Sequence, residues 1–308
     1  MHPVGPVAAI DCGTNSTRLF IVDATGRPLE RLMRITRLGQ GVDSTGVLSP
    51  DAVDRCVSVL SEYRQLMDRR GVVRSRLVAT SAARDAANGD EFLRMAGEAI
   101  GVTPELLAGT EEARLSMAGA VSDLDAEDGP FLVVDIGGGS TELVTGSGAD
   151  DPELAAVTLQ IGCVRVTERF LTADPPSTMQ LNEARAEVSR QVAQAVADQP
   201  RLRTARQLVG LAGTVSTLAS LQLGLDEYDP VRIHHSVLTV GDVNDWNRTL
   251  ASEVSTARLD RAGMVKGRED VIVGGALILA VVMGSLGFDE CLVSEADILD
   301  GMVAGLLQ

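Results

Sequence analysis

Aromatic residues make up only 3% of this 308-residue chain, a single lysine is present, and the four cysteines lie far apart. Each scarcity removes a class of function. With so few aromatics, no basic run and a net charge of −16, the chain lacks the stacking platforms and phosphate-tracking patches of a nucleic-acid binder. Cys12, Cys56, Cys163 and Cys291 form no CxxC pair, so neither a zinc site nor a disulfide framework is expected, and a reducing cytoplasm is the natural home. The lone lysine, Lys266, sits in Val-Lys-Gly, which excludes a Walker A loop. The longest apolar stretch, Val271 to Gly284, is too short to span a bilayer and contains glycines, so it reads as a buried helix. The first twenty-odd residues carry Asp11, Arg18 and Asp23 and do not read as a signal peptide. Neither a membrane nor a nucleic acid is an expected partner.

What is present is an ordinary globular composition, 45% hydrophobic and 23% charged, long enough for two domains. The pattern that organises it is an internal repeat. Val7-Ala-Ala-Ile-Asp11-Cys-Gly13-Thr-Asn-Ser16-Thr17 matches Phe131-Leu-Val-Val-Asp135-Ile-Gly137-Gly-Gly-Ser140-Thr141. Both copies read as a strand, Asp-x-Gly-x-x-Ser-Thr, and a second strand. Helical spacing over 52–69, 90–100 and 179–197, with strands over 75–79, 131–134, 155–162 and 207–211, predicts alternating α/β structure in each half. Helices over 271–285 and 296–307 end the chain. The acidic, glycine-bearing stretch 122–130 is the expected boundary, giving domains 1–125 and 126–308, with the last helix free to pack on the first lobe. A homodimer is expected if the two C-terminal helices present exposed faces.

A strand ending in Asp-x-Gly that re-enters a strand makes a tight turn with clustered backbone N–H groups, which bind phosphate oxygens. Candidate phosphate-binding residues are therefore Asp11, Gly13, Thr14, Asn15 and Ser16 in the first copy. Gly137, Gly138, Gly139, Ser140 and Thr141 are their counterparts in the second. One copy alone reads as a simple hairpin turn; two, each opening a lobe, tip the reading to phosphate. A dinucleotide fingerprint fails, because Glu142 stands where its third glycine belongs and an extended segment follows. Gly210-Leu-Ala-Gly213-Thr214 follows a strand and opens a helix, so Gly213 and Thr214 either face an anion or form an ordinary turn capped by Thr214. His234-His235 has no metal-ligand spacing partner in sequence and reads as a solvated or internally satisfied pair. Arg165, Arg169, Arg261, Lys266 and Arg268 either line the path of a polyanion or make surface salt bridges.

The repeat resembles the actin, Hsp70 and sugar-kinase superfamily. Asp135-Ile-Gly-Gly-Gly-Ser-Thr-Glu142, together with Ala79-Thr-Ser-Ala-Ala-Arg84, Gly109-Thr-Glu-Glu-Ala-Arg114, Gly162-Cys-Val-Arg-Val-Thr-Glu-Arg169 and Gly263-Met-Val-Lys-Gly-Arg-Glu-Asp-Val-Ile272, is similar to the exopolyphosphatase and guanosine pentaphosphate phosphohydrolase (Ppx/GppA) family. The resemblance implies two ribonuclease-H-like α/β lobes of the actin-like ATPase kind, with an active-site cleft between them. It implies Asp135 and Glu142 as ligands of Mg2+ or Mn2+, Glu112 as the catalytic glutamate that orients water, and Arg84 as a phosphate clamp. Arg84 is expected about one turn into a helix beginning near Thr80 or Ser81; its plain reading is an exposed arginine paired with Asp85 or Glu91. For Glu111 and Glu112, acidic residues at a helix start, the dipole is the plain explanation. The implied activity is release of orthophosphate from inorganic polyphosphate. Short chains are expected to be preferred, because longer members carry further C-terminal domains. Guanosine pentaphosphate (pppGpp) hydrolysis, and with it a role in the stringent response, is the alternative; a kinase or ATPase, or a non-catalytic alarmone sensor, stand further off. The chain departs from many relatives at Glu295-Ala-Asp-Ile-Leu-Asp-Gly301, where they carry Gly-Leu-Arg-Glu-Gly.

Overall fold

A computed structural model describes residues 5–308. Eleven strands appear among them: β1 (Val7–Cys12), β2 (Ser16–Val22), β3 (Pro28–Ile35), β4 (Arg74–Ala79), β5 (Pro104–Leu106), β6 (Phe131–Ile136), β7 (Thr141–Gly146), β8 (Ala155–Leu159), β9 (Gln207–Leu211), β10 (Val237–Thr239) and β11 (Glu290–Val293). They form two sheets, ordered β3-β2-β1-β4-β5 and β10-β11-β9-β6-β7-β8. In the first, β1 pairs antiparallel with β2 and parallel with β4, and β4 pairs parallel with β5. In the second, β6 pairs antiparallel with β7 and parallel with β9, and β11 continues in parallel. The repeat therefore extends from a short motif to a whole topology. Each sheet is a three-strand meander continued by two parallel strands, to which the second sheet adds β10 antiparallel at its edge, and β1 and β6 are buried along their full length. That burial on both faces explains why these strands are unbroken apolar runs.

The helices are α1 (Val42–Thr45), α2 (Pro50–Arg70), α3 (Ser81–Asp85), α4 (Gly89–Ile100), α5 (Gly109–Ala120), α6 (Cys163–Phe170), α7 (Thr178–Asp198), α8 (Ala212–Gln222), α9 (Pro230–Ile233), α10 (Val240–Ala251), α11 (Ser255–Leu259), α12 (Ile272–Leu286) and α13 (Ile298–Leu307). Local chemistry sets the long ones. In α2, Ser49 accepts the Ala52 N–H, Pro50 occupies the first turn, and Gly71 closes the end at φ 66°. In α7, Ser177 and Gln180 form a reciprocal capping box. Helix α12 is apolar all round and buried from Ile272 to Met283, as its sequence predicts. Among the described residues no helix is long and apolar enough to cross a membrane.

The described residues form two compact units, one of residues 5–119 with Ile298–Gln308, the other of residues 120–297. In the first, α13 contributes Ile298, Leu299, Met302, Val303 and Leu306 to a cluster with Val7, Ala9, Phe20, Val22 and Val78 on β1, β2 and β4. In the second, α12 lies in the main core with strands β6 and β9 and helices α7 and α8. Both terminal helices thus spend their apolar faces inside the chain.

Candidate functional site

The carboxyl ends of the parallel strands carry the candidate residues in both units, the usual location for ligand sites in open α/β sheets. In the first unit, β1 runs into the turn from Gly13 to Ser16, closed by a 3.0 Å hydrogen bond from the Gly13 N–H to the Ser16 carbonyl. A Cβ at Gly13 would lie 3.2 Å from that carbonyl oxygen, and one at Gly137 would lie 3.1 Å from the Ser140 oxygen. The two turns share one backbone approach, and glycine is the residue that permits it. Thr14 and Asn15 are buried in the first turn and Ser140 in the second, where Gly139 is also buried and Gly138 half-buried.

The charges at the two hairpin bases differ. Asp11 stands directly across from Arg18, and Asp135 directly across from Glu142. Opposed residues of an antiparallel pair project from the same face with Cβ atoms about 5 Å apart. In the first hairpin this produces an ion pair: Arg18 Nη2 and Nε donate to Asp11 Oδ2 at 2.6 and 3.0 Å, with both side chains largely buried. In the second the same position brings two carboxylates together, Asp135 8% and Glu142 1% exposed. Two buried carboxylates on one face offer an all-oxygen set of the kind that fits a hard divalent ion.

Arg84 and Glu112 meet in the first unit. Arg84 Nη1 donates to the Leu107 carbonyl at 2.7 Å and lies 3.5 Å from Glu112 Oε2. Leu107 follows β5, its N–H bonded to the Ala79 carbonyl at the end of β4, so the ends of both strands position the pair. Glu112 is in the first turn of α5 and 9% exposed. The expectation that Arg84 opposes a helix dipole is corrected: α3 has five residues and Arg84 lies in its last turn, where a cation is favourable. Nor does Arg84 pair with Asp85 or Glu91 in the manner of an exposed arginine. Its Nη2 is buried with no hydrogen-bond partner among the described residues, and so is Asn15 Nδ2. The two donors belong to neighbouring segments, since Thr14 and Ala82 both crowd Gly39, whose N–H bonds the Thr14 carbonyl. An unsatisfied buried donor costs about 1–3 kcal/mol, which an anionic ligand would offset.

Other candidates are committed elsewhere. The Thr141 hydroxyl is fully buried and donates to the Ile161 carbonyl at 2.7 Å, so it fastens the hairpin rather than facing a ligand. Its counterpart Thr17 is similarly engaged, with Thr36 Oγ1 at 3.0 Å and Cys56 Sγ at 3.2 Å. The neighbouring Cys12 thiol is pushed well above its usual value, by its hydrogen bond with Cys56 and then by burial. Thr214 is not a cap: Leu211 is, and Thr214 packs inside α8 against Gly275 of α12. Gly213 serves close packing, because a Cβ there would fall 1.7 Å from Arg268 Cζ. Arg165 is bonded to Gln160 and Arg261 to Glu253, both partly buried contacts. Sequence spacing also missed a partner for the histidines, for Asp123 Oδ2 lies 2.9 Å from His234 Nε2 and Asp123 Oδ1 3.5 Å from His235 Nε2.

The model of the Ppx/GppA phosphatase family matches residues 20–308. A protein of Mycobacterium tuberculosis named exopolyphosphatase 2 is 42% identical over 97% of this chain and 98% of its own. Among solved structures, the Ppx/GppA family member of Aquifex aeolicus is 33% identical with a TM-score of 0.80, covering 98% of this chain and 97% of that one. An exopolyphosphatase from Cytophaga hutchinsonii is 26% identical with a TM-score of 0.88, covering 98% and 97%. The fold is thus shared with solved relatives along nearly the full length, and the chain belongs to the Ppx/GppA phosphatase family.

Proposed function

We propose that the protein is an exopolyphosphatase, removing terminal orthophosphate from inorganic polyphosphate by in-line attack of water. The observation that carries this reading is the contrast between the two hairpins. The same phosphate-binding turn recurs, once with a built-in arginine against its aspartate and once with two carboxylates. Phosphoryl transfer asks for positioning and charge stabilisation rather than covalent chemistry, and the chain's own residues divide that labour. Backbone amides of Gly13 to Asn15 and Gly137 to Gly139 bind phosphate oxygens, with the Asn15 amide group adding a buried donor. Arg84 directs its unpaired Nη2 at the phosphoryl group while the Leu107 carbonyl fixes its Nη1. Glu112, held beside Arg84, orients the attacking water. Asp135 and Glu142 fit a divalent ion such as Mg2+ or Mn2+, which when bound neutralises charge on the phosphates. Four buried free thiols suit a reducing compartment such as the cytoplasm.

The test is phosphate release from tripolyphosphate, long-chain polyphosphate, pppGpp and ATP, with Mg2+ and with EDTA, repeated with Glu112→Gln. The reading expects Mg2+-dependent turnover of polyphosphate, fastest on short chains, and loss of turnover in the variant with substrate still bound. Turnover confined to pppGpp would reassign the substrate; Glu112→Gln with wild-type rates would end the mechanism.

A further inference from the structure

We propose that Asp123, His234 and His235 form a second metal site in the unit of residues 120–297, selective for a borderline transition-metal ion of the Zn2+ class. The three side chains converge although 111 residues separate Asp123 from His234, and one ligand atom from each lies within 4.8 Å of the others. A tetrahedral site with bonds of about 2.0–2.1 Å holds its ligand atoms about 3.3 Å apart. His234 Nε2 lies 2.9 Å from one Asp123 carboxylate oxygen and His235 Nε2 3.5 Å from the other, so each ring faces its own oxygen of the shared carboxylate.

The backbone presents both rings to one carboxylate. The His234 N–H bonds the Pro230 carbonyl at 2.9 Å, the His235 N–H bonds the Val293 carbonyl at 2.7 Å, and the Val293 N–H returns to the Ser236 carbonyl at 2.9 Å. Between these anchors His235 is held at φ 61°, left-handed geometry that a histidine adopts only against a cost. The ring centroids are 3.9 Å apart with a 30° tilt, and the side chains are 27% and 37% exposed, leaving room for entry and for bound water. Two imidazoles with one carboxylate favour Zn2+, Co2+ or Ni2+ over Mg2+, the reverse of the preference at Asp135 and Glu142.

Occupancy has a definite cost that also marks it. The Glu295 N–H donates to His234 Nδ1 at 3.2 Å, so Nδ1 carries the lone pair and Nε2 carries the proton that points at Asp123. Metal at Nε2 moves that proton to Nδ1 as a change of tautomer, and the Glu295 N–H loses its acceptor. The Glu295 carboxylate accepts from the Tyr228 hydroxyl, 2.7 Å from each oxygen, so the disturbance passes to an exposed tyrosine.

Untagged full-length protein, stripped with EDTA and returned to millimolar Mg2+, is titrated with Co2+ and then Zn2+. The inference expects one equivalent of Co2+ with a visible ligand-field spectrum, displaced by Zn2+, and a shifted Glu295 amide resonance. Asp123→Asn and His235→Gln each weaken binding by at least about tenfold, while Glu142→Gln leaves it unchanged. Affinity equal to wild type in folded Asp123→Asn, or loss of the signal in Glu142→Gln, overturns the inference. Should His235→Gln unfold, Asp123→Asn and the Glu295 resonance decide alone.

Discussion

Replacing Glu142 with glutamine separates the cost of the second hairpin from its use. The register places Asp135 and Glu142 on one buried face with Cβ atoms about 5 Å apart, and two unit charges at that spacing and an effective dielectric of about 20 repel by about 3 kcal/mol at most, before other neighbours offset it. Glutamine keeps the shape and removes one charge, so in EDTA the variant should be more stable than the wild type. For a unit of 150–250 residues, each kcal/mol is worth roughly 2–4 °C in Tm, which makes roughly 6–12 °C the upper limit. If relaxation leaves a third of the repulsion, the rise is still about 2–4 °C. With Mg2+ the order should reverse, because the wild type gains ligand-linked stability that the variant cannot. Phosphate release should fall by roughly two orders of magnitude or more, the scale of losing a charge-stabilising group. The assay is thermal denaturation of both proteins in EDTA and across a Mg2+ series, alongside turnover. Equal Tm values in EDTA with equal Mg2+ shifts would show that the two carboxylates neither repel nor share a cation.

Three further outcomes follow from the same geometry. Arg18→Met leaves the Asp11 carboxylate buried beside an apolar chain and should cost about 3–5 kcal/mol, whereas Arg18→Met with Asp11→Asn recovers much of it; denaturant melts of the cycle read the coupling. Arg84→Lys should lower kcat/KM by at least tenfold with little change in Tm, since lysine cannot both bond the Leu107 carbonyl and present a second fixed donor; unchanged kinetics would remove Arg84 from the site. Burial pushes the Cys291 thiol up to about 12, so at pH 8 almost none is thiolate, and alkylation followed by mass spectrometry should find it unmodified until the protein unfolds.

Much of the fold was legible because the buried strands of an α/β sheet are written as apolar runs. Val7–Cys12 and Phe131–Ile136 announce themselves, as does the all-round apolar α12. What stayed hidden depends on contacts that periodicity does not encode. Nothing near Arg84 says that α3 stops after five residues or that the Leu107 carbonyl receives the guanidinium. Thr141 looks like a ligand donor in a Gly-rich turn, yet its hydroxyl is taken by Ile161, twenty residues on. Asp123 joins His234 through a pairing across 111 residues, beyond any motif window. That helix α13 packs on the first lobe is expected from the sequence, but which strands it covers, β1, β2 and β4, is visible only in the structure.

The two hairpins suggest how an acidic chain accommodates an anionic substrate. A net charge of −16 repels polyphosphate at long range, but at physiological salt that field is screened beyond about 8 Å, so what matters is the charge within reach of the phosphates. There the chain uses three kinds of positive potential. Backbone amides are fixed and carry no net charge; Arg18 is covalent, and Asp11 has already neutralised it. The third kind is exchangeable: on the proposed reading, Asp135 and Glu142 take up a divalent cation from solution. A permanent arginine at position 142 would pair with Asp135 just as Arg18 pairs with Asp11, leaving nothing to offer the substrate. Glutamate keeps the position anionic, so that the two carboxylates could hold a divalent ion, which when bound would supply positive charge to the phosphates. On the proposed reading, the acidic residue opposite Asp135 is therefore what turns a duplicated binding turn into one whose positive charge remains available to the phosphates.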